Sequence, residues 1–221
     1  MKFFLGYLRN HYRIGGTRLV FLSLFRLVCS LIRFYSYKIV GLKGKASFIG
    51  QNFKIDFPSG LRFNGGSKIG NNVKIVGRSI SISIIGPQVS IGDFSIIFLS
   101  SSSTSFGNGF EIGSGSACAE YCIFGAAGGL KIGSNVIIGQ NVRIHAENHE
   151  HSNKHIPIKE QGVNRKGIII NDDVWIGSGA VILDGVEIGS GCIIGANAVV
   201  TKTTDQFGVY AGSPAQLIRY R

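Results

Sequence analysis

From about residue 48 the chain advances in steps of six. An aliphatic residue opens each step and glycine often follows it. The clearest run is IGSNVI (132–137) and IGQNVR (138–143), resumed by INDDVW (170–175), IGSGAV, ILDGVE, IGSGCI and IGANAV up to residue 199. Looser copies begin at Ile49, Ile69, Ile85, Ile91, Phe106, Ile112 and Cys118. Amphipathic helices repeat every 3.6 residues and half-buried strands every two, so neither a helical bundle nor a β-sandwich produces this beat. Glycine, at 32 residues, is abundant, but it does not recur every third residue, which excludes collagen.

The repeat has a physical logic. The first position carries Ile, Val or Phe. The fifth is small and faces inward, as at Val73, Ser95, Cys122, Val142, Ala180 and Ala198. The fourth is often Gly, Asn or Asp, residues that tolerate left-handed backbone angles. Each hexad therefore reads as a short strand and a corner. Three hexads close a triangular coil, and coils stacked at about 4.8 Å form a prism of about seven turns, on the order of 34 Å long. One hexad cannot bury its aliphatic residue alone; only the stacked array does so. The Ile-Gly pairs belong to this period and do not open a helix after a strand, so dinucleotide and P-loop fingerprints are rejected.

The net charge of +11 suggests nucleic acid until its distribution is read. Ten basic residues, from Lys2 to Lys54, precede the first acidic residue, Asp56, and the remainder is nearly balanced. The excess belongs to residues 1–45, a basic amphipathic segment with no nucleic-acid motif. Within it, Leu19–Ile32 is apolar, and Arg18, Arg26 and Arg33 fall near one side of a helix. About fourteen apolar residues with an Arg among them are too few for a bilayer span of roughly twenty. No small-residue cleavage site follows, which argues against a signal peptide. Two readings remain: a peripheral helix at the cytoplasmic face of a membrane, or a helix packed on the main domain or a sister subunit. Cys29, Cys118, Cys122 and Cys192 form neither a zinc pattern nor a disulfide framework, and read as reduced thiols of a cytoplasmic protein.

The period breaks once on a large scale, between IHAENH (144–149) and Ile170. The polar stretch at about 147–167 is too long for a corner and reads as an extruded loop, the place where solenoids concentrate function. His145, His149, His151 and His155 fall within it or at its base. Zinc would need a third ligand from elsewhere, and the only other histidine is His11 in the basic segment, so no metal is expected. General-base catalysis needs one imidazole with its second nitrogen held by an acceptor. A smaller interruption, the serine run Ser100–Ser105, reads as a loop without an assigned role.

These hexads, over about residues 46–219, resemble the hexapeptide-repeat acyltransferases, including the maltose and galactoside type and the surface-polysaccharide O-acetyltransferases. The resemblance implies an all-β left-handed parallel β-helix over 46–205, a tail at 206–221 completing the cofactor site, and a homotrimer with active sites between prisms. Handedness comes from the resemblance alone, because the general crossover rule favours a right-handed connection. Asn148-His149-Glu150-His151 is similar to the family's catalytic motif, which implies that His149 is the general base; His145 and His151 are the alternatives. The base would take a proton from a sugar hydroxyl attacking acetyl-CoA, with a backbone N–H stabilising the oxyanion. Glu147, Glu150 or a carbonyl would orient the ring. Trp175, VVTK (199–202) and AGSPA (211–215) resemble the family's acetyl-CoA groove. By that resemblance the cofactor contacts are Trp175, Ser178, Ala196, Thr201, Lys202 and Arg219. Where the family commonly has a basic residue after AGxPA, this chain has Gln216, which shifts a phosphate contact to Arg219 or Arg221. The implied function is O-acetylation of a surface-polysaccharide or lipid-linked sugar, such as an O-antigen unit. N-acetylation of an amino-sugar, a zinc enzyme on the same scaffold and a non-catalytic solenoid are the alternatives.

Overall fold

The structure, a computed structural model, describes residues 2–100, 102 and 104–221, with side chains from residue 17 onward. The side chains of Lys2, Arg9, His11 and Arg13 thus lie outside the described residues. After one helix, α1 (Lys2–Ile39), the chain winds into a left-handed parallel β-helix with three flat faces. The first and third faces each hold seven strands, as the hexad count anticipates, and the second holds nine.

The register shows how the hexads build the walls. On the first face Arg62, Ile84, Glu111, Lys131, Ile169 and Glu187 stack in line. Ala117, Ile137, Trp175, Ile193 and Val209 stack on the second, and Ile96, Ile123, Arg143, Val181 and Val199 on the third. Hexad-opening residues point inward: Ile132, Ile138, Ile170, Ile176, Ile182, Ile188 and Ile194 are buried, as are the small fifth-position residues. The fourth position is left-handed in coil after coil, for example Asn72 (φ 57°), Asn141 (φ 58°) and Asn197 (φ 57°). Glycine after the opening aliphatic has a different cause. A Cβ on Gly177 would stand 2.5 Å from the backbone nitrogen of Ala196 in the next coil, so stacking itself excludes a side chain there.

Irregularity is confined to one edge of the prism. From the second face to the third, aligned positions are six residues apart throughout, as in Ile137 to Arg143 and Trp175 to Val181. From the first face to the second the step is again six in every coil after the first. From the third face back to the first, the step is six only between Val181 and Glu187. It stretches from Ile96 to Glu111 around the serine run, and from Arg143 to Ile169 around the histidine-bearing loop. Both interruptions therefore emerge from the same edge.

The two ends are closed differently. At the C-terminus, Gly208–Ala211 adds a parallel strand to the second face and Gln216–Tyr220 folds back on it antiparallel, covering the last coil's open hydrogen bonds on that face. At the N-terminus, the last turns of α1 lie on the first coil. Phe34 is fully buried, edge-on to Phe63 at 5.8 Å, and the Arg33 Nε donates to the Ile49 carbonyl at 2.8 Å. Packing on the main domain therefore holds for this end of the segment.

The rest of the helix corrects the length expectation. The helical stretch Thr17–Ile39, 23 residues, is long and apolar enough to cross a membrane by length and composition. Its outer side is not polar: Phe21, Phe25, Val28, Ile32, Tyr35 and Ile39 are all exposed, at spacings of three and four that align them on one side of a helix. Arg18, Arg26 and Arg33 occupy the neighbouring sector, so the charge flanks an apolar stripe and does not oppose it.

Candidate active site

The large interruption is an ordered hairpin. Asn148–His149 pairs antiparallel with Val163–Asn164, placing His149 opposite Val163. One step nearer the prism, the Arg165 Nε donates to the Glu147 carboxylate at 2.6 Å, with both side chains about four-fifths buried (22% and 20% exposed). Arg165 also donates to the Phe106 carbonyl at 3.2 Å, tying this hairpin to the chain just after the serine run. The returning strand is held from below, where the Asp184 carboxylate accepts the backbone N–H groups of Lys166 and Gly167 at 2.8–3.1 Å. Nearer the tip, the Gln161 amide donates to the carbonyls of Asn153 and Ile156 and accepts the Asn153 N–H.

These contacts narrow the histidine assignments. The His149 ring is exposed, and no hydrogen bond among the described residues engages it. The His151 Nδ1 donates to the His149 carbonyl at 2.9 Å, so His151 braces the hairpin backbone. Glu147 is committed to Arg165 and does not orient the imidazole. His145 stands on the third face, in line with Gly125 and Leu183, where partial burial and then the Arg143 charge lower its pKa. Its neutral form is thereby favoured. Stability linked to it is lost as pH falls below the ordinary histidine value of about 6.5, where the unfolded chain takes up the proton first.

Around His149 the surface forms an open recess of about 540 Å³, lined by Asn148, His149, Glu150, His151, Asn164 and Lys166. Lys166 also lines a second groove of about 520 Å³, which runs along the same edge past Gly129, Gly167 and Gly185 towards Thr203. Among the described residues, no three His, Cys, Asp or Glu side chains converge to hold a metal ion.

The expected acetyl-CoA contacts do not gather on one edge of the prism. Thr201 and Lys202 follow the last strand of the third face and lie on the same edge as His149. Ser178 and Ala196 lie on the other edge of the third face, where Ser178 donates to the Gln140 amide oxygen at 2.9 Å. Trp175, half exposed, is on the second face, and Arg219 pairs there with Val209. Arg221, the alternative phosphate contact, is bound to Asp173 at 2.9 Å, and Arg219 has no ion pair among the described residues. The bracing residues Arg165, Asp184 and Gln161 escape a linear reading, because only the hairpin register sets Arg165 beside Glu147.

Residues 167–202 match the family described as bacterial transferase hexapeptide (six repeats). Over those residues the chain carries the repeat of that family. It is similar to the probable acetyltransferase Rv3034c of Mycobacterium tuberculosis, with 30% identity over 137 residues, 62% of this chain and 44% of that protein. It is also similar to the putative acetyltransferase C18B11.09c of Schizosaccharomyces pombe, with 40% identity over 100 residues, 44% of this chain and 46% of that one. The chain thus spans less than half the length of the curated relatives it matches. Among solved structures, a variant of AntD, an N-acyltransferase from Bacillus cereus in complex with dTDP-4-amino-4,6-dideoxyglucose and coenzyme A, superposes with a TM-score of 0.57 at 20% identity, covering 85% of this chain and 88% of that one. AntD in complex with dTDP and 3-hydroxybutyryl-CoA gives 0.54 at 18% identity, over 85% and 87%. At these identities the hexapeptide-repeat protein shares the fold of AntD.

Proposed function

We propose that this hexapeptide-repeat protein transfers an acetyl group from acetyl-CoA to a sugar hydroxyl, with His149 as general base. The observation carrying this reading is the His149 imidazole, free of hydrogen bonds among the described residues and lining a recess beside a hairpin braced by Arg165 and Asp184, on the edge where the large insertions emerge. The two curated relatives, both described as acetyltransferases, support the donor class.

The thioester supplies an acyl group that needs no enzyme nucleophile. The chain's task is to move one proton. His149 accepts it from the acceptor hydroxyl as that oxygen bonds to the acyl carbon, and the imidazolium returns it to the thiolate released when the C–S bond breaks. The donor residues fit acetyl-CoA chemically: Ser178 and Ala196 are small and exposed, and Lys202 and Arg219 are exposed cations suited to phosphates. Because these residues lie on separate edges, the reading requires a homotrimer in which one protomer's His149 edge faces a neighbour's Ser178 edge.

N-acetylation of an amino-sugar is the second reading, favoured by the nucleotide-linked amino-sugar bound to AntD. Labelled acetyl-CoA incubated with crude polysaccharide precursors separates the two. An ester product is expected, losing its label in mild alkali; an alkali-stable label would establish an amide and overturn O-acetylation.

The exposed stripe of α1, with arginines beside it, is proposed to rest on the cytoplasmic leaflet, where a lipid-linked or surface-polysaccharide acceptor is presented. Full-length protein is expected to float with anionic liposomes, and protein lacking residues 1–45 is expected to sediment. Equal flotation would remove the membrane role.

A further inference from the structure

One edge of the prism carries a pair of residues that its own backbone geometry disfavours. Along the edge between the second and third faces, the left-handed corner is Asn52, Asn72, Asn141, Gly179 and Asn197 in five of the coils. In the remaining two it is Phe94 (φ 60°) and Tyr121 (φ 61°). Left-handed angles strain an ordinary L-residue, and Asn and Gly escape most of that strain. Burial does not offset that cost here, because Phe94 and Tyr121 are 47% and 54% exposed. The rings stack on each other instead, centroids 5.2 Å apart and planes within 5°, forming a continuous aromatic surface over two coils.

The position of this surface matters. Order along the edge is Phe94, Tyr121, Asn141, Gly179 and Asn197, one per coil. Ser178 and Ala196, the donor-side residues, belong to the last two of these coils. The His149 hairpin leaves the prism from the coil of Asn141. The coil from which the hairpin springs thus separates the aromatic pair from the donor contacts, with a coil spacing of about 4.8 Å. If a neighbour's Ser178 edge faces His149, its Phe94 and Tyr121 lie on the side of the imidazole away from the donor.

We propose that the Phe94–Tyr121 pair is the acceptor platform, contributed by the neighbouring protomer, on which a hexopyranose packs its apolar C–H face. This inference rests on the acyl-transfer reading and adds to it a specificity-determining surface. Aromatic rings suit this role because they combine a large apolar face with low conformational freedom. The site is incomplete in one protomer: the base and the platform lie on different edges.

The test uses the substitution that the fold itself accepts, Phe94→Asn with Tyr121→Asn, since asparagine occupies this corner in neighbouring coils. Full-length wild type and the double variant are compared by saturation-transfer NMR with methyl hexopyranosides (gluco, galacto, manno and N-acetylgluco), by acetyl-CoA affinity and by sedimentation. At least one methyl hexoside is expected to receive saturation on its C–H face from wild type and at least fivefold less from the double variant. Acetyl-CoA affinity is expected to stay within twofold and the sedimentation coefficient to be unchanged. Absence of any hexoside signal from wild type, or an equal signal from the variant, would overturn the platform alone, provided wild type binds acetyl-CoA. Dissociation of the oligomer in the variant would also overturn it, by identifying the rings as subunit packing. Failure of wild type to bind acetyl-CoA would remove the acyl-transfer reading and the platform with it.

Discussion

Replacing His149 with alanine is expected to lower CoA release by about a hundredfold, close to 3 kcal/mol of transition-state stabilisation, while acetyl-CoA affinity holds. Three comparisons in the same assay identify the base. His151→Ala removes only a backbone brace and is expected to lose less, as is His145→Ala on the wall of the prism. Arg165→Ala frees Glu147 and removes the tie to the Phe106 carbonyl, so its loss is expected to be intermediate and to fall on kcat. A His149→Ala enzyme that retained its rate beside a dead His151→Ala enzyme would move the base to the other ring. Retention in His149→Ala, His151→Ala and Arg165→Ala alike would remove catalysis from this hairpin.

The largest expected effect on stability comes from one residue of the triplet Ile168-Ile169-Ile170. Ile170 is fully buried and stacks between Ile132 and Ile188 in the inner column of the first face. Its neighbour Ile169 points outward and is 42% exposed. Ile170→Ala empties part of a column whose members touch mainly the coil above and the coil below, and a backbone fixed by ladder hydrogen bonds cannot collapse into the gap. A cost of about 2–5 kcal/mol is expected. At about 2–4 °C per kcal/mol for a chain of this size, the melting temperature should fall by roughly 4–20 °C. Ile169→Ala should cost less than about 1 kcal/mol. A lower melting temperature for Ile169→Ala than for Ile170→Ala would mean that the triplet's register has been misplaced by one residue.

Much of the scaffold is legible along the chain because the hexad is a geometric unit: its fourth residue must turn left-handed and its fifth must fit an interior corner. Asn135, Asn141, Asp173, Gly179 and Gly191 all occupy the conformation that their residue types suit. The serine run and the His149 loop are legible as interruptions, but their sharing of one edge emerges only from the ladder register. The bracing of the hairpin is not legible, since Glu147 and Arg165 meet through an antiparallel pairing that no period announces. The six expected acetyl-CoA contacts are all present and exposed. Their division among edges is set by where each hexad stops turning, a property of the closed coil and not of any single motif. For α1, fourteen apolar letters understate the element, because helix continues through Tyr35 and Tyr37 to Ile39.

Two edges of the prism keep a fixed six-residue step after the first coil, while the third absorbs every large change of length. The constant edges act as rails: the height and heading of each strand are settled before the chain reaches the variable edge, so a longer excursion there leaves the coil above and the coil below in place. The entropy of closing such an excursion grows only with the logarithm of its length. A body built this way can exchange its working hardware, here the hairpin bearing His149, without renegotiating the stacks of isoleucine and valine that hold it upright.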